Sequence, residues 1–302
     1  MAELDKNVVR QYGANVYRLA QQKGSILRPY VRIEEMKGEK RHFERVKPTS
    51  AVRITSKYQQ TPLIHTEFDR RTLHAQEFGW GDMIDWQDDL NILIDPTSSV
   101  VQQGMSALGR VIDEIIIANG FDGYAYEGKD GLTPVAFPEK QKIAITVGSE
   151  NASSVGLTYE KLIRARSMFG KADIDLDDPG NELCIAVTQT QMDDLAHSVE
   201  LGNRDYEAIR DLYVGKTNKF LGFTFVRCNK LTASAVTGGL SRKCVAWCKS
   251  GVILALPQDI SMQISTRDDM CYNWQAFGKL KGGATRIEDE KVIQIFCFEQ
   301  TA

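Results

Sequence analysis

The sequence lacks the features that direct a protein into a membrane or a secretory pathway. No apolar run approaches the roughly 18 residues that a membrane-spanning helix requires, and residues 1–10 lack the apolar core of a signal peptide. The chain has only 6 cysteines in 302 residues, and they show no paired short spacing. We therefore expect a soluble protein with reduced cysteines, five of them in or beside apolar strands.

Histidine is also scarce, and patterns typical of catalysis do not hold up. The 4 histidines are scattered along the chain without nucleophile partners. Gly215–Thr217 matches the end of a phosphate-binding loop, but a helical pattern precedes it where a strand is needed. Asp173, Asp175 and Asp177 resemble a calcium loop that lacks its glycine and its glutamate. The sequence therefore predicts no catalytic residue, no metal site and no cofactor.

The sequence does have a long ribbon, residues 27–94, that alternates like a β-strand with too few apolar residues to close a core. Two strand stretches, 28–46 and 62–78, flank a polar tip, and charged residues fill the gaps between apolar ones. Because an isolated two-stranded hairpin is marginally stable in water, we expect this ribbon to lie on another molecule. This pattern indicates a subunit of an assembly rather than a self-contained enzyme.

The ribbon and the acidic, aromatic segment that follows it supply the predicted contacts between subunits. The candidates are charged or aromatic residues that an extended arm would present to a neighbour. They are Arg28, Arg32, Lys37, Arg41, Arg45, Lys57, Glu67, Asp69, Arg70, Arg71, Trp80, Asp85 and Trp86.

A long amphipathic helix follows the ribbon. Its apolar residues from Val101 to Ile116 recur at helical spacing, with Asp95 as N-cap, Pro96 in the first turn, and Asn119 and Gly120 as the stop. At 1.5 Å per residue a helix over 96–119 is roughly 36 Å long. It is long enough to act as the spine of a domain.

The rest of the chain mixes helices and strands, which predicts an α+β fold. The patterns predict helices at 7–22, 157–169, 190–197 and 204–214. They predict strands at 142–147, 183–187, 223–228, 244–256, 260–266, 274–281 and 291–299, and a turn-rich connector over 121–155.

The charge is unevenly distributed along the chain. Before Trp80 there are 15 basic and 9 acidic residues, a charge of +6, and from there on 22 basic and 31 acidic residues, a charge of -9. In an assembly this asymmetry can join the basic ribbon of one copy to the acidic body of the next in a salt-sensitive way. The basic residues of the ribbon would also suit an adaptor that binds nucleic acid, but the glutamates among them weaken that interpretation.

Six stretches of the sequence resemble the major capsid proteins of tailed bacteriophages, whose fold is named after phage Hong Kong ninety-seven. They cover nearly the whole chain. They are QYGANVYRLAQQKGS from Gln11, TPLIHTEFDRRTL from Thr61, DPTSSVVQQGMSALGRVIDEIIIA from Asp95, FLGFTFVRCNKL from Phe220, GVILALPQDISMQI from Gly251 and GATRIEDEKVIQI from Gly283.

The resemblance implies a domain organisation. It comprises an N-terminal arm (1–24), an extended loop (25–79) that lies over the neighbouring subunit, a peripheral domain with the spine helix (80–154), an axial domain (155–256) and C-terminal peripheral strands (257–302). Copies would form the hexamers and pentamers of an icosahedral head around double-stranded DNA, which they contact non-specifically. The head would be assembled in the host cytoplasm, and the protein would be part of the virion.

The resemblance also implies partner proteins, and it leaves two alternatives to the capsid function open. A portal and a decoration protein are expected, and a separate scaffolding protein because the chain starts almost at its arm helix. An encapsulin compartment has the same fold but encloses enzyme cargo. A soluble α+β enzyme would use residues 155–256 as its catalytic unit.

Overall fold

The fold was determined as a computed structural model, which describes residues 21–84, 96–149, 153–175, 178–198 and 204–300. The helix predicted at 7–22 and the N-cap Asp95 therefore lie outside the described residues, apart from the extended residues 21 and 22. The chain divides into two compact units. One contains residues 1–25, 77–111 and 258–281, and the other contains 26–76, 112–257 and 282–302.

Helices and strands are mixed along the chain, with runs of consecutive strands at both ends, as expected for an α+β fold. The described helices are α1 (Pro96–Ile115), α2 (Tyr159–Lys171), α3 (Gln189–His197) and α4 (Arg204–Val214). The strands are β1 (Arg32–Glu34), β2 (Lys40–Val46), β3 (Phe68–His74), β4 (Gln76–Ile84), β5 (Ala125–Glu127), β6 (Thr133–Val135), β7 (Lys142–Ile143), β8 (Leu183–Val187), β9 (Lys219–Phe220), β10 (Phe223–Arg227), β11 (Ala233–Val236), β12 (Gly239–Cys248), β13 (Val252–Arg267), β14 (Asn273–Arg286) and β15 (Val292–Glu299).

The spine helix continues beyond its predicted end. Residues Ile116–Asp122 form a π-helix after α1, and the backbone becomes extended at Gly123. The side-chain amide of Gln294 donates to the carbonyl oxygen of Phe121 at 2.9 Å and so satisfies one of the last helical acceptors. A Cβ atom at Gly120 would lie 3.0 Å from Val252, so this glycine permits close packing rather than ending the helix.

A seven-stranded sheet forms the interior of the larger unit. Its order is β7-β15-β12-β8-β10-β9, and β11 pairs with β12 beside it. All five residues of β8 are buried, as expected for a strand with neighbours on both sides and apolar cover. The C-terminal strand β15, predicted to be peripheral, pairs with β12 of the predicted axial segment, from Leu240 opposite Glu299 to Trp247 opposite Val292.

The predicted helices of the second half are present, with shifts of one or two residues at α2 and α3. Leu162, Ala165 and Phe169 of α2 are buried on one face. Lys161 is fully buried on the same face, and its ammonium group donates to the carbonyl oxygens of Ile145, Val155, Gly156 and Phe296 at 2.7–3.1 Å. Burial lowers the pKa of this ammonium group.

Four strand predictions have the wrong boundaries. The stretch 244–256 is interrupted by a 3-10 turn at Lys249–Gly251, where Gly251 permits a close approach to Lys291, since a Cβ there would lie 2.5 Å from it. The stretches 260–266 and 274–281 are parts of the much longer β13 and β14. The strand at 142–147 is reduced to the two residues of β7.

The ribbon is shorter than predicted and does not stand alone. β2 and β3 pair from Lys40 opposite His74 to Val46 opposite Phe68. β3 continues into a sheet with order β2-β3-β5-β6, so the predicted connector contributes two strands. Residues 32–34 leave the ribbon as β1 and pair with β13, Arg32 opposite Ile253. The base of the ribbon is therefore part of its own chain, and residues 47–67 between β2 and β3 form no regular structure.

The cysteines agree with the prediction of reduced core residues. Five of them are buried and unpaired, and Cys271 is exposed. Burial raises the pKa of the Cys184 thiol to about 12. No helix among the described residues is long and apolar enough to cross a membrane.

Candidate assembly surface

Ion pairs hold the two ribbon strands together. Arg70 of β3 pairs with Glu44 of β2 at 2.8 Å, and Lys47 pairs with Glu67 at 2.8 Å where the hairpin opens. These pairs are largely exposed, so solvent screens them and each contributes little to stability. They align the strands without fixing the ribbon to the rest of the unit.

A buried arginine fixes the ribbon to its own chain. Arg71 of β3 is only 1% exposed. Its Nε atom lies 3.0 Å from Glu127 of β5, and its terminal nitrogen donates to Asp289 at 2.6 Å. Because a buried cation needs paired anions, these contacts keep Arg71 in the interior.

A second arginine of the ribbon joins the same network from β2. Arg45 donates to the carbonyl oxygen of Ile287 at 2.7 Å and to Glu127 at 2.7 Å, and it also pairs with Asp69. Burial alone would raise the pKa of Asp69. The backbone N–H of Arg70 and the charge of Arg45 outweigh burial and lower it. Asp69 is therefore held as a carboxylate.

A third arginine closes the network behind the ribbon. Arg286 is fully buried, donates to Asp289 at 2.6 Å and to the carbonyl oxygen of Val135 at 2.9 Å, and lies over the ring of Phe137. Three arginines thus face three carboxylates. Breaking a buried pair by removing one partner typically costs about 3–5 kcal/mol, so the ribbon base is firmly anchored.

The ribbon tip has the opposite character. Residues 47–66 contain Lys47, Arg53 and Lys57 but no aspartate or glutamate. Almost the whole segment is exposed, including Tyr58 at 96% and Leu63 at 84%. Apolar side chains are also exposed at Val52, Ile54 and Ile64. The tip is therefore a basic and apolar segment that the described part of its own chain does not cover.

The structure separates the predicted contact residues into groups. Arg71 is buried and uses its guanidinium within the chain, so it is not available to a neighbour, and we do not keep it as a contact. Arg45 and Asp69 also serve the internal network. The exposed or partly exposed members are Arg28, Arg32, Lys37, Arg41, Lys57, Glu67 and Arg70.

Some of these partly exposed residues also have partners within the chain. Glu34 pairs with Arg32 at 2.5 Å and with Arg41 at 3.2 Å. Trp80 is half-buried, and a Cβ at Gly104 would lie 2.5 Å from its ring, so it packs on α1. Asp85 and Trp86 lie outside the described residues.

Sequence reasoning missed the residues that anchor the ribbon. Glu127 comes from β5, and Arg286 and Asp289 come from the end of β14 and the turn after it; Asp289 is 218 positions from Arg71. The weak signal was the acidic cluster 288–290 directly after a strand that ends in an arginine. Among the described residues, no group of three or more His, Cys, Asp or Glu side chains could hold a metal ion.

The larger unit thus combines a ribbon with an anchored base, an uncovered tip and a buried sheet. The model of the phage capsid protein family matches residues 4–299. The chain therefore belongs to the phage capsid protein family, whose members form the phage shell.

Solved capsid structures share the fold. The capsid of Ralstonia phage GP4 matches with a TM-score of 0.73 at 10% identity, over 100% of this chain and 98% of that chain. The capsid asymmetric unit of cyanophage Pam1 matches with 0.71 at 13% identity, over 100% of both chains. Mycobacterium phage Che8 matches with 0.66 at 14% identity, over 96% of this chain and 97% of that chain. No curated protein sequence matches the chain.

Proposed function

We propose that this chain is the major capsid protein of a tailed bacteriophage, and that its copies form the hexamers and pentamers of an icosahedral head around double-stranded DNA. The observation that supports this most directly is the uncovered tip at 47–66 on an anchored base. A neighbouring copy supplies the cover that the chain itself lacks. Many modest contacts of this kind close a shell through simultaneous engagement.

The proposed organisation follows the resemblance. Residues 1–24 form the arm, 25–79 the extended loop, 80–154 and 257–302 the peripheral domain, and 155–256 the axial domain. The pairing of β15 with β12 supports a rigid connection between the last peripheral strand and the axial sheet.

The proposed partners go beyond copies of the chain. A scaffolding protein, a portal and a decoration protein would act with it during assembly in the host cytoplasm, and packaged DNA would touch it without sequence preference. The remaining predicted contact residues, Arg28, Arg32, Lys37, Arg41, Lys57, Glu67, Arg70 and Trp80, are proposed at the edges of subunit contacts. Membership of the phage family favours a phage head over an encapsulin compartment or an enzyme.

If the apolar residues of the tip contact a neighbouring copy, replacing them by polar residues should impair assembly. Replacing Val52, Ile54 and Leu63 together by serine removes apolar surface that we expect a neighbour to bury, worth about 1.5–3 kcal/mol for each fully buried side chain. We expect the lowest protein concentration that gives shells to rise at least tenfold, since about 1.4 kcal/mol is one factor of ten. Electron microscopy and light scattering across a concentration series measure this threshold.

The control keeps the tip apolar. The variant V52I/I54V/L63M should assemble at the wild-type concentration, and both variants should unfold at the wild-type midpoint as dispersed subunits. Normal shells from the serine variant would remove the tip from the proposal. A wild-type chain that stays monomeric at high concentration would refute the shell itself.

A further inference from the structure

The described structure has several free sheet edges, and all but one of them are protected against pairing. An exposed edge strand recruits other chains unless charges or proline prevent it. The edge strand β2 carries Lys40, Arg41, Glu44 and Arg45, and the edge strand β6 contains Pro134. β9 presents Lys219 and β7 presents Lys142, whereas β1 carries Arg32 and Glu34 and β4 carries Glu77 and Asp82.

Strand β11 is the exception. Its sequence is Ala-Ser-Ala-Val, all four residues are exposed, and neither charge nor proline occurs anywhere in residues 231–241. β12 is its only strand partner among the residues that the structure describes. The outer side of β11 is therefore open and unprotected.

The register of the hairpin identifies the backbone groups that are free. The N–H of Lys243 donates to the carbonyl oxygen of Thr232 at 2.9 Å, and Val236 lies opposite Gly239 next to the turn. Hydrogen-bonded and non-hydrogen-bonded pairs alternate in an antiparallel ladder. Ser234 and Val236 therefore bond to β12, whereas the N–H and C=O groups of Ala233 and Ala235 point outward.

The hairpin that carries these groups is held rigidly. Arg242, opposite Ala233, donates to Glu299 at 2.7 Å and to the carbonyl oxygen of Leu231 at 2.7 Å. A Cβ at Gly239 would lie 2.8 Å from the ring of Phe298, so the turn end of the hairpin packs tightly on β15. A strand partner would bind a preformed edge and lose little conformational entropy.

We propose that β11 is a strand-addition site, at which an extended segment of a second copy of this chain pairs with the backbone of Ala233 and Ala235. This inference rests on the proposed function, because assembly supplies identical copies at high local concentration. If β11 paired with β11 of the second copy, the assembly would stop at two copies. If β11 pairs with a different segment, the same contact repeats head to tail from copy to copy and forms a ring when the rotation closes.

The size of the contact suits a reversible step of assembly. Two outward residues offer two donors and two acceptors, and each hydrogen bond makes only a modest net contribution. One such contact is weak, whereas the contacts of a closed shell reinforce one another. The alanine side chains offer little steric hindrance to the approaching strand.

Hydrogen exchange at single-residue resolution tests the proposal on the full chain. In dispersed subunits the amides of Ala233 and Ala235 should exchange freely, whereas those of Ser234 and Val236 are protected. In shells all four should be protected, and exchange at the two alanines should slow at least a hundredfold. Free exchange of both alanine amides inside well-formed shells overturns the inference and leaves the proposed function intact.

A substitution tests the same edge independently. A235P removes an outward N–H that β12 does not use, so dispersed subunits should melt at the wild-type temperature while the concentration needed for shells rises at least tenfold. A235V keeps the N–H and should assemble normally. If A235P fails to fold, A235K provides the protecting charge instead and should raise the threshold as well.

Two further outcomes would contradict the proposed site or its proposed occupant. Normal assembly of A235P and A235K overturns the strand-addition site. Protection of the alanine amides only after a different protein is added overturns the second copy as the occupant. A wild-type chain that forms no shells refutes the proposed function rather than the geometry of this edge.

Discussion

Lys161 carries a buried positive charge that no ion pair among the described residues neutralises directly. Its ammonium group donates to carbonyl oxygens of Ile145, Val155 and Gly156 as well as of Phe296 in β15. One side chain thus joins α2, the segment before it and the C-terminal strand. Hydrogen bonds from a charged donor are worth about 1.5–3 kcal/mol each, which offsets part of the cost of burying the charge.

Replacing Lys161 by methionine should destabilise the subunit. The substitution leaves four buried carbonyl oxygens without this donor, and we expect a net loss of about 2 kcal/mol in the free energy of unfolding. Denaturant unfolding of dispersed subunits measures it. The control is K171M, an exposed lysine at the end of the same helix, which should change stability by less than about 0.5 kcal/mol. Equal stability of the two variants would contradict this role.

At the residue scale the sequence held part of this information. Lys161 stands four positions after Leu157 and four before Ala165, on the apolar stripe of a predicted helix, which signals a buried lysine. Arg71 had no comparable signal. It is one of many arginines in the ribbon, and its partners Glu127 and Asp289 are distant in sequence, so burial could not be distinguished from exposure.

At the scale of the secondary-structure elements, the carboxylate of Glu299 stabilises the end of the β12–β15 pair. Glu299 accepts hydrogen bonds from Arg242 at 2.7 Å, Thr188 at 2.8 Å and Gln191 at 3.2 Å. Burial acts to raise the pKa of Glu299, but these donors outweigh it, and the pKa lies below its ordinary value. The ionised side chain of Glu299 therefore stabilises the folded state more than its protonated form does.

This lowered pKa predicts a pH dependence with a definite sign. The stabilising contribution of Glu299 is complete above its unfolded pKa of about 4.3 and is lost as the pH falls through the lower folded value. E299Q should reduce stability by about 2 kcal/mol at pH 7, and the gap to wild type should narrow below about pH 4. Thermal unfolding at several pH values measures both. E35Q, at an exposed glutamate, is the control, and a gap that stays constant down to pH 3 would refute the assignment.

The elements were predicted best where apolar spacing is regular. Leu183–Val187 and Arg204–Val214 have the predicted boundaries, because one is a continuous apolar run and the other has a clear helical period. β5 and β6 were missed because each has three residues, among glycines and a proline. The pairing of β5 with β3 is a long-range contact that local patterns do not encode.

At the scale of the whole molecule, several basic residues of the ribbon already have acidic partners within the chain. Lys47, Arg45 and Arg71 of the basic part are paired with carboxylates of the same chain. The unbalanced charge that remains in this region includes Arg53 and Lys57 at the tip. The tip is therefore one place where basic charge without acidic residues is concentrated, and it can take part in the attraction predicted between the two halves.

The salt dependence of assembly should follow this concentration of charge. Raising the ionic strength from about 0.05 to 0.5 M shortens the screening length severalfold. We expect it to raise the assembly threshold a few-fold in the wild type and hardly at all in R53Q/K57Q. The double variant K140Q/K171Q removes the same charge from exposed lysines elsewhere and should keep the wild-type salt dependence. Identical salt curves for all three proteins would disprove an electrostatic role of the tip.

The cysteine distribution has a practical consequence. Because five thiols are inside the fold, a maleimide reagent finds one accessible sulfur per polypeptide, at Cys271 between β13 and β14. A dye or spin label attached there reports from a single site without any prior mutagenesis. Particles assembled from labelled chains would carry a regular lattice of probes, repeated once for every copy.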